Sequence, residues 1–264
     1  MQLNPRIVRC MTADPELQPI LDLLFVPRRR SAVASNAPWT ERHVLAGTGG
    51  DLVWWSAGSG PIVMLVHGWE RTHADLDAFV APLVARGYRV VAADLSAHGE
   101  SDGRIASIPI FARDIATLAR ALEPEPIEAI VAHSMGGPSA ANALAEGLAT
   151  RRVVLIASPH RYERYVRWLA GEYGIDGDRL IAAVAATGID VASLDMRHTV
   201  ASLTTPALIV HAIDDRTVEL RSAEAIASAW RGSRLRTFDG LGHNRILRDA
   251  VVVEEIVNFI SDAA

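Results

Sequence analysis

The chain alternates between short runs of apolar residues and longer segments in which apolar and polar residues recur at helical spacing. The short runs predict strands over 42–46, 52–56, 61–67, 88–94, 127–133, 152–157, 206–213 and 234–238. The helical spacing predicts helices over 16–25, 76–86, 108–122, 139–149, 223–230 and 250–260. Strands of nearly continuous apolar sequence are covered on both faces, so the alternation predicts an α/β fold with a mostly parallel sheet between two layers of helices. The first two strands flank a Gly-rich turn and predict an antiparallel hairpin at one edge.

One interval, residues 159–205, breaks this alternation. It contains no strand pattern and predicts helices over 162–172, 177–186 and 193–201. Three of the four tyrosines fall in it, together with Trp168. This composition favours a small helical cap over the strand ends, the alternative being an ordinary long crossover with an aromatic core face. The predicted organisation is therefore an N-terminal segment (1–40), an α/β core (41–158 and 206–264) and a cap insertion (159–205).

Composition and charge narrow the class of protein. With 264 residues, 50% of them hydrophobic, the chain is long enough for one large α/β domain or two small ones. The formal net charge of -5 provides no positive field that would recruit nucleic acid or an anionic membrane. The single cysteine, Cys10, excludes an internal disulfide and suits a reducing compartment, so we expect a cytoplasmic protein.

The N-terminal region predicts neither a signal peptide nor a membrane span. Acidic residues interrupt its apolar run, and the basic cluster at 28–30 follows that run instead of preceding it. We expect this cluster to be a solvated loop. No uncharged run approaches the roughly 18 residues that a membrane span needs. No His or Cys pair has helical metal-ligand spacing, and no Gly-x-Gly-x-x-Gly follows the first predicted strand, so neither a metal nor a dinucleotide cofactor is expected.

Polar side chains follow several of the predicted strands, and the carboxyl ends of strands are where α/β sheets gather functional groups. The segments concerned are HGWE (67–70), DLSAHGES (94–101), HSMGG (133–137), DDRTV (214–218) and GLGH (240–243). A Ser, an Asp and a His thus follow three separate strands. Ser134 taken alone fits two interpretations, a nucleophile at a strand-to-helix turn or a helix N-cap.

These five segments, in this order, resemble the α/β-hydrolase family, and in particular its serine hydrolases of the esterase and lipase type. The resemblance implies that Ser134 is the nucleophile and that His243, reaching it from a loose Gly-rich loop, is the general base. It implies Asp215 as the orienting acid in preference to Asp214, because Val218 completes the family's Asp-x-x-Val spacing. It also implies an oxyanion site made by the backbone N–H groups of Trp69 and Met135.

Two positions depart from the family pattern, since Ala132 and Ala212 stand where the family has Gly. We expect the added methyl of Ala132 to shift the turn at Ser134 slightly without removing it, and neither change to touch the reacting groups. The other histidines of the motifs, His67, His98 and His133, are predicted to hold turns near the site by hydrogen bonds, while His73 and His160 could reach the pocket. Asp94 is expected to anchor the loop that runs to Ser101. The arginines at 161, 164 and 167 are predicted to form a solvated basic helix face.

The implied function is cofactor-free cleavage of a carboxylic ester through an acyl-enzyme on Ser134, with a small-molecule ester or acyl substrate. A thioesterase and a hydrolase of carbon–carbon bonds use the same side chains and remain open alternatives. A third alternative, from another class, is a non-catalytic protein of the same fold that binds a small ligand. The oligomeric state is not predicted.

Overall fold

A single eight-stranded sheet organises the part of the chain that the computed structural model describes, residues 14–29, 35–47 and 49–262. The strands are β1 (Glu41–Gly47), β2 (Gly50–Ala57), β3 (Ile62–Val66), β4 (Arg89–Asp94), β5 (Ile127–His133), β6 (Arg152–Ile156), β7 (Ala207–Ala212) and β8 (Arg234–Phe238). Their spatial order is β1-β2-β4-β3-β5-β6-β7-β8. Strand β2 is antiparallel to both β1 and β4, and all other neighbours are parallel. The predicted fold class and the predicted edge hairpin are confirmed.

Helices cover both faces of the sheet. They are α1 (Gln18–Phe25), α2 (Val80–Ala85), α3 (Ile108–Ala121), α4 (Gly136–Ala145), α5 (Tyr162–Glu172), α6 (Gly177–Ala186), α7 (Met196–Ala201), α8 (Arg221–Ala229), α9 (Gly242–Arg245) and α10 (Ala250–Ser261). Two 3₁₀ segments, His73–Phe79 and Ala192–Leu194, precede α2 and α7. None of the described helices is long and apolar enough to cross a membrane.

Helix boundaries differ from the prediction where caps and turns decide them. The helix predicted over 76–86 begins earlier, because the Asp75 carboxylate holds its first turn by accepting a hydrogen bond from the N–H of Thr72 (3.0 Å). The helix predicted over 139–149 spans Gly136–Ala145 and stops before Gly147, whose φ is +105°. The helix predicted over 193–201 is divided, because Asp195 is extended and caps α7 by accepting a hydrogen bond from the N–H of Arg197.

Alternate residues of each buried strand enter two separate cores. On β3, Met64 and Val66 face the core that α3, α4, α7 and α8 cover. Val63 and Leu65 face the opposite core, beneath α2 and α10. This burial on both faces explains why the strands are nearly continuous in apolar residues.

The helices between β6 and β7 do not all pack alike. Residues of α5 and α6 share a third core with α1, whereas Met196 and Val200 of α7 belong to the core on the sheet. The division of residues 159–205 as a separate cap stays a prediction.

Asp114 ties the loop after β4 to helix α3. Its buried carboxylate accepts hydrogen bonds from the N–H of Ser96 (2.8 Å) and from the Ser96 hydroxyl (3.0 Å). Burial raises the pKa of Asp114 to about 6, although the bonds from Ser96 and the charge of Arg113 act in the opposite direction. The carboxyl therefore holds its proton more tightly in the folded chain than in the unfolded one.

This raised pKa predicts a pH-dependent contribution to stability. As the pH falls from 8 to 5, the folded chain takes up a proton that the unfolded chain does not, which adds about 1 kcal/mol to the free energy of unfolding. Asp114→Asn cannot titrate, so wild type should gain that amount relative to the variant between the two pH values. Urea unfolding of both proteins at each pH measures this gain. A difference that stays constant would mean that Asp114 has the same charge at both pH values.

Candidate active site

Ser134 lies at a sharp turn between β5 and α4, with a φ of +51° in the left-handed region. Its N–H donates to the carbonyl of Ile156 (2.9 Å), which fixes the turn against β6. The backbone approaches closely here, because a Cβ at Gly68 would lie 2.8 Å from the Ser134 Cβ and one at Gly136 would lie 2.6 Å from the His67 carbonyl oxygen. Helix α4 has no side-chain cap, so the alternative that Ser134 is an N-cap finds no support.

The two substitutions of Ala for Gly leave the turns intact. Ala132 and Ala212 are both fully buried, and each stands in a regularly paired strand.

Ser134 itself is a non-glycine residue in the left-handed region. This conformation costs free energy, and it persists where the surroundings of the residue hold it. The turn at Ser134 is therefore held by its packing and by its bond to β6.

Asp215 follows β7 in a buried turn. One carboxylate oxygen, Oδ1, accepts hydrogen bonds from the N–H groups of Thr217 (2.8 Å) and Val218 (2.9 Å). The other, Oδ2, lies 2.8 Å from His243 Nδ1. Burial opposes ionisation of Asp215, but the bonds from His243 and the backbone outweigh it, so the pKa of Asp215 lies below its ordinary value.

Asp214 occupies a different place. It is exposed, and its Oδ1 accepts a hydrogen bond from the N–H of Gly242 (2.9 Å). The structure thus brings Asp215, and not Asp214, to the imidazole of His243. The contact of Asp214 with Gly242 steadies the backbone just before that histidine.

His243 lies in the one-turn helix α9, and not in the loose loop that the sequence predicts, because Asp214 holds the residue before it and Arg245 Nη2 donates back to the Gly240 carbonyl (2.6 Å). Its Nδ1 faces Asp215, and its Nε2 lies 3.1 Å from Ser134 Oγ. With Nδ1–H donating to the carboxylate, Nε2 of the neutral ring is the acceptor for the Ser134 hydroxyl. The three side chains therefore form one continuous hydrogen-bonded chain.

The backbone N–H groups predicted for the oxyanion site belong to Met135, which follows Ser134, and to Trp69, which follows Gly68 at its close approach to Ser134. Neither N–H has an acceptor among the described residues. The carbonyl of Gly68 accepts hydrogen bonds from His67 Nδ1 (2.7 Å) and from the N–H of Arg71 (3.3 Å). Because C=O and N–H of a trans peptide point in opposite directions, these bonds also fix the direction of the Trp69 N–H.

The three histidines predicted to hold turns do so. His67 Nε2 accepts from the N–H of Leu95 (2.9 Å), and His98 Nε2 accepts from the N–H of Glu70 (2.9 Å). His133 Nε2 donates to the carbonyl of His243 (3.0 Å). Burial lowers the pKa of all three, to about 3 for His98 and His133, so His133 adds no positive charge beside His243.

The other polar residues singled out in the sequence lie elsewhere. His73 bonds to Asp94 (2.9 Å) and stacks on Trp55, and His160 bonds to the Ser222 hydroxyl (3.0 Å). Asp94 anchors its loop as predicted: its carboxylate accepts from the N–H of Glu100, and its carbonyl accepts from the Ser101 hydroxyl. The arginines at 161, 164 and 167 are solvated, as predicted. Each also pairs with a carboxylate, as in Arg161–Glu163, Arg164–Glu219 and Arg167–Asp178.

Two features next to the site were not predicted. His211 in β7 is fully buried, with Nε2 2.8 Å from the Val218 carbonyl and 3.6 Å from Asp215 Oδ2. The sequence signal that could have pointed to His211 is a histidine inside an otherwise apolar strand.

The second feature is the basic cluster at 28–30, which the sequence predicts to be a solvated loop. Arg28 and Arg29 are exposed as predicted, but in addition they bind the loops that follow β3 and β4. Arg30 lies outside the described residues, as does Cys10.

Comparison with known proteins identifies relatives for most of this chain. A family model described as "Alpha/beta hydrolase family" matches residues 63–255. A non-heme haloperoxidase of Rhodococcus erythropolis is 26% identical over 270 residues, which cover 82% of this chain and 98% of that protein. A protein phosphatase methylesterase 1 of Bos taurus is 33% identical over 103 residues, covering 36% of this chain and 27% of that protein.

Solved structures share the fold at low sequence identity. An esterase from Exiguobacterium antarcticum has a TM-score of 0.69 at 19% identity, covering 84% of this chain and 100% of its own. A thioesterase domain from the curacin biosynthetic pathway has a TM-score of 0.64 at 18% identity, covering 83% of this chain and 98% of its own. Among the described residues, no group of three or more His, Cys, Asp and Glu could hold a metal ion. The expectation that no cofactor is needed stays a prediction.

Proposed function

Because the chain belongs to the alpha/beta hydrolase family, we propose that it is a serine hydrolase that cleaves a carboxylic ester through an acyl-enzyme on Ser134. The observation that carries the proposal is the hydrogen-bonded chain from Ser134 Oγ through His243 to Asp215, with distances of 3.1 and 2.8 Å. A serine hydroxyl is a weak nucleophile, and a neighbouring base that takes its proton is the usual means of activating it.

In the proposed reaction, Ser134 Oγ attacks the ester carbonyl while His243 Nε2 accepts the hydroxyl proton. His243 then donates that proton to the leaving alcohol, and an acyl group remains on Ser134. Water attacks this ester next, with His243 again accepting and returning a proton. Asp215 holds the Nδ1–H tautomer and stabilises the imidazolium that forms, which its lowered pKa allows because the carboxylate stays ionised at neutral pH.

The negative oxygen of the tetrahedral intermediate is assigned to the N–H groups of Trp69 and Met135. Each such donor contributes roughly 10² to 10³ in rate. The bond from His67 to the Gly68 carbonyl supports this assignment, because it leaves the Trp69 N–H directed away from that bond. The Met135 N–H stands at the start of α4, where helix N–H groups have no intrahelical acceptor.

A second candidate function transfers the acyl group to hydrogen peroxide instead of water. The similarity to a non-heme haloperoxidase, over nearly the whole of that protein, favours this candidate. If hydrogen peroxide replaced water in deacylation, the acyl-enzyme would release a peroxycarboxylic acid and free Ser134. The peracid would then oxidise a halide ion to the hypohalous acid and return to the carboxylic acid. This activity needs the same three side chains and is distinguished by its dependence on added peroxide.

The proposal is tested with a fluorophosphonate and a panel of esters and thioesters of increasing acyl length. We expect covalent labelling on Ser134, located by peptide mass spectrometry, and turnover of at least one short-chain p-nitrophenyl ester with an early burst. Thioester turnover that exceeds ester turnover would move the assignment to a thioesterase. Folded protein that neither labels nor turns over any member, yet binds one of them, would favour the ligand-binding alternative.

A further inference from the structure

The described part of the N-terminal segment, residues 14–29, lies outside the matched family model and yet packs beside the site. Helix α1 buries Ile20, Leu21, Leu24 and Phe25 in a core that it shares with α5 and α6. At its start, Arg179 of α6 pairs with Asp14 and with Glu16. The segment is therefore docked on the helices between β6 and β7.

After α1 the chain runs over the loop that follows β4. The Phe25 carbonyl accepts a hydrogen bond from the N–H of Ala106 (2.7 Å), and Pro27 is buried. The guanidinium of Arg29 then donates to three carbonyl oxygens of that loop, on Gly99 (3.0 Å), Ser101 (2.6 Å) and Gly103 (3.0 Å). These contacts fix the position of the neighbouring residue, Arg28.

Arg28 binds the carboxylate of Glu70 through three hydrogen bonds. Its backbone N–H and its Nε both donate to Glu70 Oε1 (3.0 Å each), and its Nη2 donates to Oε2 (3.0 Å). Two-point contact between a guanidinium and a carboxylate fixes the plane of both groups. Burial opposes ionisation of Glu70, but the bonds and the charge of Arg28 outweigh it and lower the pKa of Glu70.

Glu70 is the residue after Trp69, and its backbone is in the left-handed region with a φ of +54°. Its N–H donates to His98 Nε2 (2.9 Å). A non-glycine residue keeps such a conformation only where neighbouring groups hold it. Glu70 is held from two sides, by His98 at its backbone and by Arg28 at its side chain.

We propose that Arg28 is a positioning residue for the oxyanion site: by holding Glu70 in the left-handed conformation it acts with the bonds to the Gly68 carbonyl to keep the Trp69 N–H directed at the reacting carbonyl. The inference rests on the proposed function for its catalytic consequence. Arg28 acts through Glu70 and does not touch the substrate. Its side chain is 90% exposed, and exposed ion pairs contribute little to folding, so its removal should change the rate and not the melting temperature.

The test begins with the kinetics of Arg28→Ala. We expect kcat for a short-chain p-nitrophenyl ester to fall about tenfold, part of the loss that removing one oxyanion donor causes, with KM changed less than about twofold. Arg28→Lys keeps the positive charge but loses the two-point contact of the guanidinium with the Glu70 carboxylate, so it should recover only part of the rate. Arg28→Ala combined with Glu70→Gln should lose no more than the single variants. The matched control is Arg236→Ala. This variant removes an exposed ion pair between β8 and α10, formed with Glu255, that involves neither Arg28 nor Glu70.

A second measurement reports on the loop itself and needs no turnover. In hydrogen exchange followed by mass spectrometry, the peptide that contains the Glu70 N–H should exchange at least about fivefold faster in Arg28→Ala than in wild type, and equally in Arg236→Ala and wild type. Faster exchange in a protein that hydrolyses no ester would support the positioning role while rejecting the proposed function. Wild-type exchange at this peptide, or wild-type kcat in an active enzyme, would overturn the inference.

Discussion

Replacing Ser134 with Ala is expected to lower kcat for a p-nitrophenyl short-chain ester by at least about 10⁴-fold and to abolish fluorophosphonate labelling. The hydroxyl oxygen is the atom that would form the acyl bond, so no neighbouring group can substitute for it. The residual rate would come from the oxyanion donors and from substrate binding, which persist without the nucleophile. The measurement is kcat at saturating substrate, beside the mass of the protein after treatment with the fluorophosphonate.

Ser139→Ala is the matched control for that variant. Ser139 is a buried serine on α4 whose hydroxyl donates to the Met135 carbonyl (2.9 Å). Its loss removes a hydroxyl of the same type five residues further along the chain, without touching the proposed nucleophile, so kcat should stay within about threefold of wild type. A Ser134→Ala protein that folds and retains wild-type turnover would exclude the acyl-enzyme on this residue.

The meeting of Ser134, Asp215 and His243 could be anticipated because each follows a strand of one mostly parallel sheet, in the chain order of the family that the sequence resembles. Parallel strands bring their carboxyl ends to one edge, so residues far apart in sequence approach each other there. The choice of Asp215 over Asp214 depended on one spacing, and the backbone N–H groups of Thr217 and Val218 explain it physically, because they bind the Asp215 carboxylate and turn it inward.

The features that the sequence did not predict depend on contacts between residues far apart in the chain. Neither partner of such a contact carries a local sequence pattern that points to the other. Arg28 and Glu70 are 42 residues apart, and neither lies in a periodic segment that would have linked them. His211 stands inside an apolar strand, where sequence alone gives no partner for its ring nitrogens. The conformation of α9 likewise depends on the contact of Asp214 with Gly242, which forms only once β7 and β8 are paired.

The orienting role of Asp215 gives the second large expected effect. In Asp215→Asn, the side-chain oxygen must stay with the N–H groups of Thr217 and Val218, since both need an acceptor. The amide NH₂ group then faces His243 Nδ1 and can only donate. Nδ1 must therefore accept, which places the ring proton on Nε2 and leaves no base for the Ser134 hydroxyl. A change of tautomer of this kind lowers kcat by about 10⁴-fold in a serine protease triad.

We therefore expect kcat of Asp215→Asn to fall by about 10³- to 10⁴-fold, with the melting temperature measured in parallel to show that the protein is folded. Asp214→Asn is the adjacent control. Its oxygen can keep the bond to the Gly242 N–H, and its side chain is exposed, so we expect kcat within about threefold of wild type. The reverse result, an active Asp215→Asn and an inactive Asp214→Asn, would transfer the orienting role to Asp214. It would also require α9 to move, because in the present arrangement Asp215 Oδ2 already occupies the position 2.8 Å from His243 Nδ1.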